Sequence, residues 1–186
     1  MYKIVALIGE AGSGKDSLLH KIIEKNPNLH EIISCTTRPK RDGEVEGINY
    51  FYLTKDEFLD EVQKGKMFEA TFFNEWFYGT SYKSLDENKV NVGVFNPAGI
   101  KQLIQFHSND INIKVFYVNA SAETRLLRQL NREKNPNVAE IIRRYHADEK
   151  DFTYLDFPYR IIFNETYEDL DSGAEEILRL LKDESS

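Results

Sequence analysis

Cysteine is nearly absent: Cys35 is the single one in 186 residues. No internal disulfide can form, and the usage suits a reducing cytosol. No His or second Cys stands near Cys35 in sequence to activate it, so it reads as an inert thiol. Long apolar runs are also missing. None could span a bilayer, and the N-terminal run is too short for a signal-peptide core, so no membrane partner is expected. His20, His30, His107 and His146 stand at no metal-ligand spacing. Positive charge is in deficit, with 24 Lys and Arg against 31 Asp and Glu and a net charge of −7. That argues against a general affinity for nucleic acid. Repeats and low-complexity tracts are lacking as well. What remains has the composition of an ordinary globular protein, and its length suits one domain or a core with small inserts.

The strongest positive signal is at the start. The apolar run Lys3–Ile8 leads into Gly9-Glu-Ala-Gly-Ser-Gly-Lys15-Asp16. A helical pattern follows, with Leu18, Leu19, Ile22 and Ile23 on one face. Strand, glycine-rich loop and helix in that order form a phosphate-cradling P-loop. Glycines let successive backbone N–H groups turn inward, and the helix adds its positive end. Lys15 stands where it can reach the β- and γ-phosphates. Gly9, Glu10, Ala11, Gly12, Ser13, Gly14, Lys15, Asp16 and Ser17 are therefore the expected ATP-binding stretch. The strict pattern ends in Lys followed by Ser or Thr, whose hydroxyl ligates Mg²⁺. Here a carboxylate, Asp16, takes that place, so the metal site is expected to be altered.

Further strands are expected at Val90–Phe95, Ile113–Val118 and Tyr159–Phe163, each short and bounded by Gly, Pro or Asn. Helical patterns alternate with them. Pro97 opens one carrying Ile100, Leu103 and Ile104. Ser121 caps one carrying Leu126, Leu127 and Leu130. A tail helix is expected to bury Ala174, Ile177, Leu178 and Leu181. Alternation of this kind predicts an α/β fold with a parallel sheet covered on both faces. Two segments interrupt it. Ser34–Ser81 is rich in aromatics and turns, holds a helix capped by Thr54 and Glu57, and reads as an inserted lobe. Asn131–Asn137 is polar and loop-like ahead of a second expected capping box, Asn137 with Glu140. By composition it is either a solvated connection or an arginine-flanked lid.

Within the lobe, Arg38 and Arg41 lie three apart among turn residues. Guanidinium groups so placed can converge on one phosphate, or simply form a salt-bridged turn. The pieces Thr36-Thr37-Arg38-Pro39, Arg41, Gly43-Glu44-Val45, Gly47, Tyr50, Glu69, Phe77-Tyr78-Gly79-Thr80-Ser81 and Asn164, taken with the P-loop, resemble the guanylate kinase family over most of the chain. The resemblance implies a three-layer P-loop NTPase fold with a core (1–33, 82–121, 146–186), an acceptor-binding lobe (34–81) and an arginine-rich lid region (122–145). It implies that Arg38, Arg41, Tyr50 and Tyr78 hold the acceptor's phosphate. Ser34, Glu69 and Thr80 would read its base, and Asn164 would join the ATP site. Arg128 and Arg132 match lid arginines, and Arg144 one just beyond. With Lys15 and Arg38 these are the expected catalytic groups. Guanine offers adjacent N1–H and N2–H donors, which suit an acceptor-only carboxylate such as Glu69.

The implied reaction is ATP plus GMP or dGMP giving ADP and the diphosphate, with Mg²⁺, small-molecule substrates, and a monomer or homodimer in the cytoplasm. Two departures stand out. Where the family has Asp-x-Asp-x-x-Gly, this chain has Val94-Phe-Asn96-Pro-Ala-Gly99. An acid near the metal is lost at Val94, and Asn96 replaces one near the acceptor's base or ribose. Asp16 is then a candidate relocated Mg²⁺ anchor, or only an acid at a helix start. The run Gly14–Leu19 also resembles ribose 1,5-bisphosphate phosphokinases. That acceptor, a broader deoxynucleoside monophosphate set, and a catalytically silent interaction domain are the alternatives.

Overall fold

A computed structural model describes residues 1–73, 75–132 and 134–182. In chain order the elements are β1 (Tyr2–Ile8), α1 (Lys15–Lys25), β2 (His30–Glu31), β3 (Cys35–Thr36), β4 (Phe51–Tyr52), α2 (Lys55–Gln63), β5 (Met67–Phe73) and β6 (Trp76–Ser81). There follow β7 (Val90–Val94), α3 (Pro97–His107), β8 (Ile111–Asn119), α4 (Ala122–Leu130), α5 (Val138–Phe152), β9 (Arg160–Phe163) and α6 (Tyr167–Lys182). One sheet has the strand order β2-β7-β1-β8-β9, and a second has β4-β3-β6-β5. In the first, β2 pairs with β7 and β8 with β9 in parallel. Ile4 through Ile8 are all buried, the continuous apolar pattern of a strand covered on both faces. Among the described residues no helix is long and apolar enough to cross a membrane.

The chain divides into two compact units. One holds Met1–Ala6 and Leu29–Ile113, the other Leu7–Asn28 and Lys114–Ser186. The first unit contains the whole second sheet, which lies within the segment read as a lobe. Its helix α2 starts as expected: the Thr54 hydroxyl accepts from Glu57 N, and Glu57 returns the contact to Thr54 N at 2.7 Å. Helix α3 starts on Asn96, whose side chain accepts from Gly99 N at 2.8 Å. Pro97 follows at the position that needs no N–H donor.

In the second unit, α1 lays Leu18, Leu19 and Ile22 into the core and packs against α6. Gly173 of α6 permits close approach: a Cβ there would meet Ile162 Cγ2 at 2.8 Å. Ala174 and Ile177 are buried as expected, while Leu178 and Leu181 are half-buried. Helix α4 differs more. Its buried side chain is Arg125, and Leu127 is 51% exposed. The capping box at α5 is half formed. Asn137 accepts from Glu140 N, but the Glu140 carboxylate turns to Arg143 and Arg144, each with a nitrogen at 2.7 Å. Two cations one turn along outbid a backbone amide.

Candidate functional site

The P-loop occupies the second unit and its shape is imposed by neighbours. Gly12 and Gly14 have φ of 83° and 88°, a region that favours glycine. A Cβ on Gly12 would strike the Arg125 backbone carbonyl, and one on Gly14 would strike the Asn164 side-chain amide. Asn164 is buried and donates to the Ser13 carbonyl at 2.7 Å. Its side-chain amide thus lies against the loop. Gly9 is similarly crowded, with a Cβ predicted to fall 2.5 Å from the Val118 carbonyl. Lys15 opens α1, and its ammonium approaches the Glu10 carbonyl at 3.4 Å. Asp16 lies exposed in the first turn of α1, next to exposed Ser17.

Side chains absent from the sequence-level site complete this region. Glu10 accepts from the Tyr117 hydroxyl at 2.9 Å and pairs with Arg125 at 3.3 Å. The Arg125 guanidinium also lies 5.3 Å from the centre of the Tyr145 ring. Burial, then Glu10, pushes the Tyr117 phenol up. Ala11 N donates to Asp148 at 2.7 Å. Asp148 is 2% exposed, and burial pushes its carboxyl up. No sequence pattern marked Asp148. Nor did one mark Arg125.

The arginines expected to act on phosphate are distributed differently from one another. Arg128 reaches the Gly12 and Ser13 carbonyls at 3.4 and 3.3 Å and the Glu165 carbonyl at 3.2 Å. Arg144 pairs with Glu140. The Arg143 hydrogen bond and then that from Arg144, working against burial, hold Glu140 down to about 2. Arg132 is exposed just beyond α4.

The acceptor residues lie in the first unit. Arg38 is 5% exposed and grips both oxygens of Glu44, at 2.8 and 3.0 Å. Its guanidinium carbon sits 5.4 Å from the Tyr50 ring centre and 5.9 Å from that of Tyr52. Glu44 also accepts from Arg41 N at 2.8 Å and from the Tyr52 hydroxyl at 2.7 Å. Burial alone would raise its carboxyl, but these donors, led by Arg38, hold it near 2. Tyr50 and Tyr78 meet edge to face at 6.2 Å. Glu44 belongs to the quoted motif, yet its role as the partner of Arg38 was not legible.

Glu69 and Thr80 pair across β5 and β6. A register irregularity between Met67 and Glu69 re-aims the strand at this point. The Thr80 hydroxyl donates to Glu69 Oε1 at 2.9 Å. Glu69 Oε2 would lie 3.0 Å from a Cβ on Gly99, beside the first turn of α3. Asn96, which caps that helix, donates to Thr71 Oγ1 at 2.7 Å. Ser34 is half-buried and its carbonyl accepts from Phe51 N at 2.9 Å. Burial dominates at Glu69 and lifts its carboxyl to about 7, against the Thr80 hydrogen bonds. Cys35 is buried, and burial raises its thiol to about 11, in keeping with an inert role.

No group of three or more His, Cys, Asp or Glu able to hold a metal occurs among the described residues. Mg²⁺ needs no such cage, because it takes one or two carboxylates, phosphate oxygens and waters. A solvent-exposed hard oxygen donor next to Lys15, as Asp16 provides, fits that demand.

A glycine loop between a buried strand and a helix, on a parallel α/β sheet, defines a P-loop nucleotide-binding protein. A family model described as guanylate kinase matches residues 1–184. The guanylate kinase of Wolbachia sp. subsp. Brugia malayi is 31% identical over 185 residues, covering 97% of this chain and 92% of that protein. The guanylate kinase of Helicobacter pylori is 30% identical over 187 residues, covering 97% and 87%. A crystal structure of guanylate kinase from Anaplasma phagocytophilum has a TM-score of 0.72 at 21% identity, covering 98% of this chain and 86% of that one, a likeness of fold. The chain belongs to the guanylate kinase family.

Glu69 gives a test of the acceptor unit without nucleotide. Its carboxyl shifts from the usual 4.5 to about 7, so between those values the folded protein holds a proton that the unfolded chain has released. Stability falls as pH rises through this window and levels off above it. Glu69→Gln removes the effect. Urea denaturation should show the variant gaining on the parent by about 2–3 kcal/mol between pH 5 and pH 8. A stability difference that is the same at both pH values would contradict the buried, proton-holding state.

Proposed function

We propose that the protein transfers the γ-phosphoryl group of ATP to GMP, giving ADP and GDP, with dGMP as a second acceptor. The observation that carries this reading is the buried Glu69–Thr80 pair beside the α3 N-terminus, in a chain that keeps Lys15 in its P-loop. Ionised Glu69 accepts from guanine N1–H and N2–H, a donor pair that adenine lacks. Guanine binding therefore favours loss of the Glu69 proton. Ser34 and Asn96 complete the base end of this pocket. Arg38, Arg41, Tyr50 and Tyr78 receive the acceptor's phosphate, and Arg38 exchanges part of its hold on Glu44 for that anion.

The nucleophile is an acceptor phosphate oxygen, already anionic, so no general base is needed. Its bond to the γ-phosphorus forms as the bond from that phosphorus to the β–γ bridging oxygen breaks, and ADP leaves with that oxygen. Lys15 and the loop amides stabilise the charge that develops there. Arg128, Arg132 and Arg144 serve as the cations of a lid spanning 122–145, with 1–33, 82–121 and 146–186 as the core and 34–81 as the acceptor lobe. Asn164 holds the loop from below. When bound, Mg²⁺ supplies charge neutralisation at the phosphates, and Asp16 is the residue that would hold it. The reducing cytoplasm and a monomer or homodimer complete the reading.

The deciding experiment is a phosphotransfer assay over GMP, dGMP, AMP, other deoxynucleoside monophosphates and ribose 1,5-bisphosphate. GMP and dGMP should lead, and Glu69→Gln should lower kcat/KM for them by about tenfold or more, the scale of an unmade charged hydrogen bond in a buried site. Preference for ribose 1,5-bisphosphate, with a silent Glu69→Gln, would overturn the reading. Asp16→Ala should raise the Mg²⁺ concentration for half-maximal rate. An unchanged Mg²⁺ dependence with a slightly lower melting temperature would reduce Asp16 to a helix-start acid.

A further inference from the structure

Two helices of the second unit close on a single residue of the P-loop, one on the peptide unit before it and one on the peptide unit after it. Asp148, from α5, accepts from Ala11 N at 2.7 Å. Gln129, from α4, donates to the Ala11 carbonyl at 3.3 Å. The residues on either side are tied too. Glu10 is held by Tyr117 and Arg125. The Gly12 carbonyl accepts from Arg128 at 3.4 Å. From 10 to 12 the loop is thus fastened by side chains that lie outside it. Asp148, Arg125 and Glu10 are 2%, 6% and 9% exposed, so these are built contacts rather than surface encounters.

The chemistry of Asp148 is unfavourable for a phosphate site. It faces Lys15, Glu10 and Arg125. A buried carboxylate beside the P-loop lysine repels an incoming triphosphate and is costly to desolvate. It also takes the Ala11 amide out of anion binding. The compensating gain is positional, because a carboxylate oxygen makes a strong bond to a backbone N–H. Without it, the amide of half-buried Ala11 would lose this partner, and the loop would relax.

We infer that Asp148 is a positioning residue for the donor nucleotide, which with Gln129 clamps Ala11 between α5 and α4 and so sets the P-loop in its phosphate-receiving form without touching the nucleotide. Arg125 is the counter-ion that lets two carboxylates, Glu10 and Asp148, remain beneath the loop. Arg144 lies one turn before Asp148 on the same face of α5, so the same clamp fixes the register of that arginine relative to the loop. The inference rests on the reading of the loop as the ATP site.

Equilibrium binding of ATP and steady-state kinetics with GMP, on Asp148→Ala, Asp148→Asn and Lys15→Ala, test it. Asn keeps an acceptor oxygen for Ala11 N and drops the charge that opposes the triphosphate. Asp148→Ala should lose roughly tenfold in ATP affinity, the scale of one buried hydrogen bond, with KM for GMP unchanged. Asp148→Asn should bind ATP at least as well as the parent. If Asp148→Ala fails to fold, Asp148→Asn decides alone. Two results overturn the clamp: Asp148→Ala binding ATP like the parent while Lys15→Ala does not, or Asp148→Asn losing affinity tenfold. If Lys15→Ala also binds ATP like the parent, the reading of the loop itself falls, and the clamp with it.

Discussion

The loop from Gly9 to Gly14 is shaped by crowding from outside. Gly12 lies against the Arg125 carbonyl and Gly14 against the Asn164 amide, with no room for a Cβ at either. Helix α4 and the end of β9 therefore act as a mould. Lys15 follows at the first position of α1 because Gly14, in a left-handed conformation, turns the chain into the helix. Any side chain at Gly12 or Gly14 would have to displace backbone or a buried amide, which close-packed interiors do not accommodate. The donor end of the chemistry depends on this packing more than on any single hydrogen bond.

Electrostatics govern the rest. Apart from exposed Arg132, the expected phosphate-binding arginines with assigned contacts already have internal oxygen partners. Arg38 holds Glu44, Arg128 holds loop carbonyls, and Arg144 holds Glu140. A nucleotide phosphate must exchange with these partners rather than meet bare cations. Exchange lowers affinity but suppresses adventitious anion binding and keeps buried guanidinium groups compensated. Glu44, held near 2, stays ionised throughout the physiological range and is a permanent counter-ion. Glu69, lifted to about 7, is the opposite case: a carboxylate poised to change its protonation state near neutral pH.

What the sequence made legible was local or periodic. The strand–loop–helix at the N-terminus, the Thr54 and Ser121 caps, the helix opened by Pro97, and the parallel strands all depend on residues near in sequence, and all are present. The two-residue strands β2, β3 and β4 were illegible, because such short pieces are defined by distant partners. Leu126 and Leu127 looked like the core face of α4, yet Arg125 is the buried residue there, since Glu10 and Tyr145 lie where it can reach them. Asp148 carried no local signal at all. Its importance arises from the 137 positions separating it from Ala11, a relation that no window along the chain contains. Arg38 and Glu69, which the family resemblance assigned to one lobe, both fall in the first unit, but the resemblance did not reveal how tightly Glu44 holds the former or how far burial shifts the latter.

The central claim is that one chain binds an adenine and a guanine nucleotide at once for direct phosphoryl transfer. Calorimetric titration with adenosine and guanosine joined through five phosphates tests it most directly. The account predicts one molecule bound per chain, roughly a hundredfold or more tighter than ATP or GMP alone, as expected when two sites are engaged through one linker. Binding no tighter than that of ATP, or tightness unchanged when the guanosine is replaced by adenosine, would contradict it.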